Sequence, residues 1–216
     1  MILMLLSLLS PAEAGSAPYM WGVGPTINTI VYPGSHPLSF PSETRDEETN
    51  KTLLDKTKGD MGIGAHGVLY MGKTQRVGSH AWYSFGAGGF RSTNLTLEYD
   101  FAGTDQGGVA ILGGFGAGVG HQRWQTNDVG EIKMATYMGR AQGTVTYRTR
   151  RQAYEIGTYF LLTLPGKQMW NPSGDAEEEQ VKGGVYPTLG LEATVYFGDF
   201  KAPTSKKKKK KKKKKK

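Results

Sequence analysis

The chain has 216 residues, enough for one domain with appendages, and no cysteine, which removes disulfides and thiolate metal sites. Its net charge of +8 comes from a run of eleven lysines, Lys206–Lys216; without it 16 basic residues face 19 acidic ones, a balance of −3. A mildly acidic body speaks against nucleic-acid binding, and no internal apolar run reaches the roughly 20 residues of a membrane-spanning helix.

Residues 1–14, MILMLLSLLSPAEA, have an apolar run and an Ala12-Glu13-Ala14 end. This is the pattern of a secretory signal peptide cut after Ala14, although no Lys or Arg precedes the run. From residue 19 onward the chain breaks into short runs in which apolar and polar or glycine positions alternate, the period of a strand with two environments. Strand 1 is expected over Tyr19–Tyr32, strand 2 over Asp60–Met71, strand 3 over Val77–Gly89 and strand 4 over Thr93–Phe101. Strand 5 follows at Gly108–Gly120, strand 6 at Lys133–Arg148, strand 7 at Gln152–Leu164 and strand 8 at Val185–Phe200.

The segments between them divide into short turns and long loops. Gly72–Arg76, Gly103–Gly107 and Arg148–Arg151 read as turns. Pro33–Gly59, Gln122–Glu131 and Gly166–Gly183 read as polar loops that carry Trp124, Met169 and Trp170, with Phe90–Ser92 a short exception. Short connections at one end and long ones at the other are the pattern of an outer-membrane barrel.

Two features of the faces point the same way. Tyr19, Trp21, Tyr99, Phe101, Tyr147, Tyr154 and Phe197 lie on the apolar faces near the short-turn end, where an interfacial aromatic girdle is expected. On the opposite faces Glu98, Asp100, Arg140, Glu155 and Glu192, with His66 and His80, are interspersed with glycine. Buried charges need partners, so these seven are expected to form an ionic network in a polar lumen. In that network Arg140 is expected to bridge Glu98, Glu155 or Glu192. A narrow proton or ion path is the alternative. A soluble lipocalin-like barrel binding a small apolar ligand has the opposite sense of alternation.

The alternating runs and the ending Leu189, Leu191, Ala193, Val195, Phe197 resemble those of small eight-stranded outer-membrane β-barrels of the OmpA/OmpX type. The resemblance covers Tyr19–Phe200 in pattern. It implies an all-β, antiparallel, transmembrane up-and-down barrel over residues 15–200, located in the outer membrane of a Gram-negative cell. It also implies outer-membrane lipid and the barrel assembly machinery as partners, the latter through a terminal phenylalanine, which here fits Phe197 rather than Phe200.

Some barrels of this size are enzymes acting on outer-membrane lipid. The four histidines, His36, His66, His80 and His121, form no Ser/His/acid set by spacing, and Ser79 and His80 fall on opposite faces. No catalytic residue, metal site or cofactor is therefore expected. A structural or surface-interaction role through the long loops is. Residues 201–216 form a lysine-rich tail that does not fold and that suits an anionic lipid surface or an anionic wall polymer.

Overall fold

The computed structural model describes residues 20–31, 59–72, 74–86, 89–106, 108–126, 130–171, 179–180 and 185–200. The signal-peptide and lysine-tail expectations, His36, Tyr19 and most of the Pro33–Gly59 loop lie outside them. The strands are β1 (Met20–Val31), β2 (Gly59–Tyr70), β3 (Gln75–Gly86), β4 (Arg91–Gln106) and β5 (Val109–Thr126). They continue with β6 (Gly130–Arg148), β7 (Gln152–Asn171), the two-residue β8 (Glu179–Gln180) and β9 (Tyr186–Asp199).

Each long strand pairs antiparallel with the next, from β1–β2 through β6–β7. Strand β9 then pairs with both β7 and β1, which closes the sheet into an eight-stranded barrel. Closure leaves no open edge along the barrel wall. Strand β8 lies outside the ring and pairs only with Met169 and Trp170.

Period-two alternation fixes which side chains point in. In β1 the inward set is Met20, Gly22, Gly24, Thr26, Asn28 and Ile30, and the outward set is Trp21, Val23, Pro25, Ile27, Thr29 and Val31. The same parity runs around the ring, so the outside is apolar and the inside polar. This is the reverse of the soluble-barrel alternative.

The structure corrects the connections. Residues Gln122–Thr126 and Gly130–Glu131 are not loop: β5 and β6 stay paired out to Thr126 and Gly130, so this connection is among the shortest. Trp124 points inward and is buried. Much of Gly166–Gly183 is likewise strand, since β7 runs to Asn171 and Glu179–Gln180 folds back onto it. Strand β4 also passes through the expected Gly103–Gly107 turn, with a register shift between Ala102 and Thr104, and turns at Gly108, whose φ of 87° suits glycine. The other early stops reflect polar composition on both faces where the sheet rises past the apolar belt, which removes the contrast that marks a strand.

Arg76 is a further correction. It belongs to β3, not to a turn; only Met71–Thr74 separates β2 from β3, with Met71 N donating to Gln75 O at 2.8 Å.

Candidate functional site

The barrel interior is layered. At the short-turn end Met20, Val68, Tyr70, Ala153, Tyr196 and Phe200 form an apolar floor. Above the charged middle lie Ile30, Trp82, Met138, Tyr159 and Leu161, and then Phe90, Trp124, Ile132, Met134 and Tyr186 at the long-loop end. Phe200 packs edge-on to Tyr70 at 6.3 Å between ring centroids, so it serves the interior while Phe197 faces outward.

All seven residues expected in the lumen point inward, and none is more than 4 % exposed. They fall into two ionic groups. The lower one is centred on Arg76, which sequence reasoning missed. Arg76 Nε donates to Asp100 Oδ2 at 2.7 Å, and Nη1 and Nη2 donate to Glu155 Oε2 and Oε1 at 2.5 and 3.0 Å. Two parallel bonds to one carboxylate are the strongest geometry a guanidinium offers. Thr146 Oγ1 adds a bond to Glu155 Oε2 at 2.6 Å.

The upper group is centred on Arg140. Its Nη2 lies 2.6 Å from Glu192 Oε2 and its Nε 3.4 Å from Glu98 Oε1, while Nη1 donates to His80 Nδ1 at 3.1 Å. The guanidinium also sits 4.3 Å from the centroid of the Tyr159 ring, a cation–π contact. Glu155 is therefore Arg76's partner, and of the three carboxylates expected for Arg140 only Glu98 and Glu192 take that place. Gln142 joins the groups: its Nε2 donates to Glu98 Oε2 at 3.0 Å and to Asp100 Oδ1 at 2.7 Å.

His66 and His80 stack with centroids 5.0 Å apart. Tyr196 donates its one hydroxyl hydrogen to Glu155 Oε1 at 3.0 Å, so the 2.8 Å contact with His66 Nδ1 is one that His66 donates. His66 Nε2 lies 3.3 Å from Glu98 Oε2. The two arginines offset two of the four charges on Glu98, Asp100, Glu155 and Glu192.

The inward glycines of β5 make room for this network. Gly114, Gly116, Gly118 and Gly120 lie opposite Asp100, Glu98, Thr96 and Asn94. A Cβ on Gly116 would meet Leu97 O at 2.7 Å and Glu98 Cγ at 3.0 Å. The bare backbone is what lets the longer side chains of β4 lie flat across it.

Among the described residues, His66, Glu155 and Glu192 could each offer one atom to a metal, these atoms lying within 4.8 Å of one another. Both oxygens of Glu155 are held by Arg76, His66 Nδ1 by Tyr196, and Glu192 Oε2 by Arg140. A cation there would have to displace the guanidinium contacts, so the donor set suits the arginines better. His121 points outward on β5, between Thr93 and Ala135, far in register from His66 and His80.

On the outside, Trp21, Phe101, Tyr147, Tyr154 and Phe197 are each about half exposed, and Tyr99 packs beside Phe115 at 5.8 Å. Tyr147 and Tyr154 face each other across β6 and β7, and Trp21 lies opposite Asp199. Outward-facing Tyr83, Phe85 and Tyr137 sit toward the opposite, long-loop end, a second aromatic level that the sequence reading did not identify. At that end Arg123 and Lys133 both pair with Glu131, the lysine at 2.9 Å.

No protein-family model matches the sequence, and no curated protein matches it. Among solved structures the chain is similar to the crystal structure of Neisserial surface protein A, with a TM-score of 0.52 at 9 % identity, over 85 % of this chain and 99 % of that one. At that identity the likeness is one of fold: a closed antiparallel barrel of eight strands with no α-helix among the described residues.

Proposed function

We propose that the protein is an integral outer-membrane barrel, similar in build to the OmpA/OmpX type, with a structural or surface-interaction role exercised at its long-loop end. One observation carries this reading. Between the two aromatic levels the described outward-facing positions hold no charged residue: Arg91, Arg123 and Lys133 appear only at the long-loop end. From Trp21 to Val31, ten residue steps along a strand tilted by about 40° rise roughly 26 Å, the height of the lipid-facing band of such barrels. Spread over eight strands, an apolar belt of that height is stable in hydrocarbon and a liability in water.

The interior supports closure rather than transport. Two guanidinium groups tied to four carboxylates, between apolar layers at both ends, fill an eight-stranded lumen that is just wide enough for side chains. The ionic network is thus read as a plug that also fixes strand register.

Fractionation combined with surface proteolysis tests the reading. Extraction only by detergent, heat-modifiable migration in SDS, and cleavage from outside at the long connections are the expected results. Release into the soluble fraction without detergent would overturn it. In planar bilayers the wild-type protein is expected to show no channel, and Arg140→Ala, which unpairs Glu192, tests whether the plug is what closes it.

A further inference from the structure

Arg150 and Arg151 occupy the tip of the turn between β6 and β7, and this turn is rigid. Thr149 N and Thr149 Oγ1 donate to Gln152 O at 2.7 and 2.9 Å, and Gln152 N donates back to Thr149 Oγ1 at 3.1 Å. The turn is also tied to the end of β9: Gly198 N donates to Arg151 O at 3.0 Å and Phe200 N to Arg150 O at 3.2 Å. Two exposed arginines are therefore held at a fixed place on the short-turn rim.

Directly beside them the outer face offers apolar surface. Trp21, Val23 and Phe197, each about half exposed, form one side of a depression of about 670 Å³ whose other side is Arg150, Arg151 and Gln152. The Gln152 amide oxygen accepts from Tyr154 OH at 2.9 Å, which leaves the amide nitrogen as a donor toward the rim. Asp199 lies at the same rim. It is already engaged within the protein and supplies no ligand contact. Beyond Phe200 the sequence adds Lys201 and the eleven-lysine run, so positive charge is concentrated on this end of the chain.

We propose that this depression binds one anionic phospholipid of the leaflet at the short-turn end. The phosphate sits between Arg150 and Arg151, and the acyl chains lie along Trp21, Val23 and Phe197. A charged rim above an apolar wall matches the two halves of such a lipid, which a bare anion or a zwitterionic lipid does not use as fully. The proposal rests on the reading that the outer face meets lipid. What it adds is a saturable site with headgroup selectivity, where the belt alone holds any lipid.

Native mass spectrometry of the full chain in mild detergent, with phosphatidylglycerol and phosphatidylcholine at equal concentration, tests it. One retained phosphatidylglycerol per chain is expected. The R150Q/R151Q pair should weaken that retention roughly thirtyfold, at about fivefold per basic group near an anionic surface. Heat-modifiable migration should be unchanged, because the arginines join the turn's tethers only through their backbone carbonyls. R150K/R151K should keep the selectivity, and Trp21→Ala should weaken both lipids alike. Equal retention of the two lipids by wild type would overturn the site. So would selectivity that survives R150Q/R151Q, or that disappears only when residues 206–216 are deleted. Arginine-dependent sedimentation with wall polymer, without lipid preference, would overturn it as well. A protein that needs no detergent and shows no heat-modifiable migration would instead remove the membrane reading itself.

Discussion

Arg76 and Glu155, 79 residues apart in sequence, meet inside the barrel through two hydrogen bonds of 2.5 and 3.0 Å. They come from strands that are not neighbours, β3 and β7, so the pair spans the lumen and links opposite walls. Its value lies less in net stabilisation than in the cost of breaking it, because a lone buried charge has no water to turn to.

Removing the cation alone should therefore be severe. Arg76→Met leaves Asp100 and Glu155 facing each other without compensation, and a loss of about 3–5 kcal/mol is expected. Adding Glu155→Gln and Asp100→Asn removes the orphaned charges and should recover much of it. Urea unfolding of the barrel in vesicles measures both. A triple variant no better than Arg76→Met would show that the network holds the fold by shape and not by charge.

The glycines of β5 give a second, independent check on the same packing. Gly116→Ala places a Cβ against Leu97 O and Glu98 Cγ, and overpacking of this kind costs about 1–3 kcal/mol. Gly139 and Gly143 on β6 point outward, and a Cβ there meets nothing within 4 Å. Alanine at either should cost under about 0.5 kcal/mol, as at other unconstrained surface positions. Equal effects at Gly116 and Gly139 would mean that Glu98 does not lie across β5 as described.

The barrel was legible in the sequence where the two faces differ in polarity. Glu98 and Asp100 alternate with Leu97 and Tyr99, so their inward direction follows from parity alone. Arg76 shares that parity with His80 and Gly78, but Gly72-Lys73-Thr74-Gln75 before it reads as turn, and a charged residue beside a turn is ordinarily solvated. Residues 122–126 failed for a related reason: Gln122 and Trp124 point in while Arg123 and Gln125 point out, and above the apolar belt neither face is uniformly apolar. Partner choice was not legible either. Parity placed Arg140, Glu98, Glu155 and Glu192 in one lumen, but register sets the level: Glu155 lies opposite Thr146, six residues along β6 from Arg140, and there it meets Arg76 from across the lumen.

The Arg123–Glu131–Lys133 group at the end of the β5–β6 hairpin predicts a pH effect. The hydrogen bond from Lys133, aided by the charge of Arg123, holds the Glu131 carboxyl below its ordinary range against the opposing effect of burial. A carboxyl depressed in the folded state adds stability above the ordinary carboxylate range, and the gain is lost as pH falls through the depressed value. Amide exchange at Gln125 and Glu131 should therefore speed up in acid relative to the barrel wall, after correction for intrinsic rates. Glu131→Gln should abolish the difference. The effect is small because the group is partly solvated, and exchange that follows pH identically in both proteins would remove the ion trio from the account.

The outer face supplies the most discriminating test. Ile27 lies mid-way along β1, is 61 % exposed, and faces outward between Ile63 and Ala193. In water such a position accepts arginine at little cost and with better solubility. In hydrocarbon the same change costs about 2–4 kcal/mol at mid-depth and about 0–1 near the interface. Ile27→Arg should thus lower the unfolding free energy in vesicles by the larger amount, and Val31→Arg, at the end of the same face, by the smaller. The gradient between the two is the signature, because loss of local packing alone would penalise both alike. Two equal costs would place the apolar face against something other than lipid.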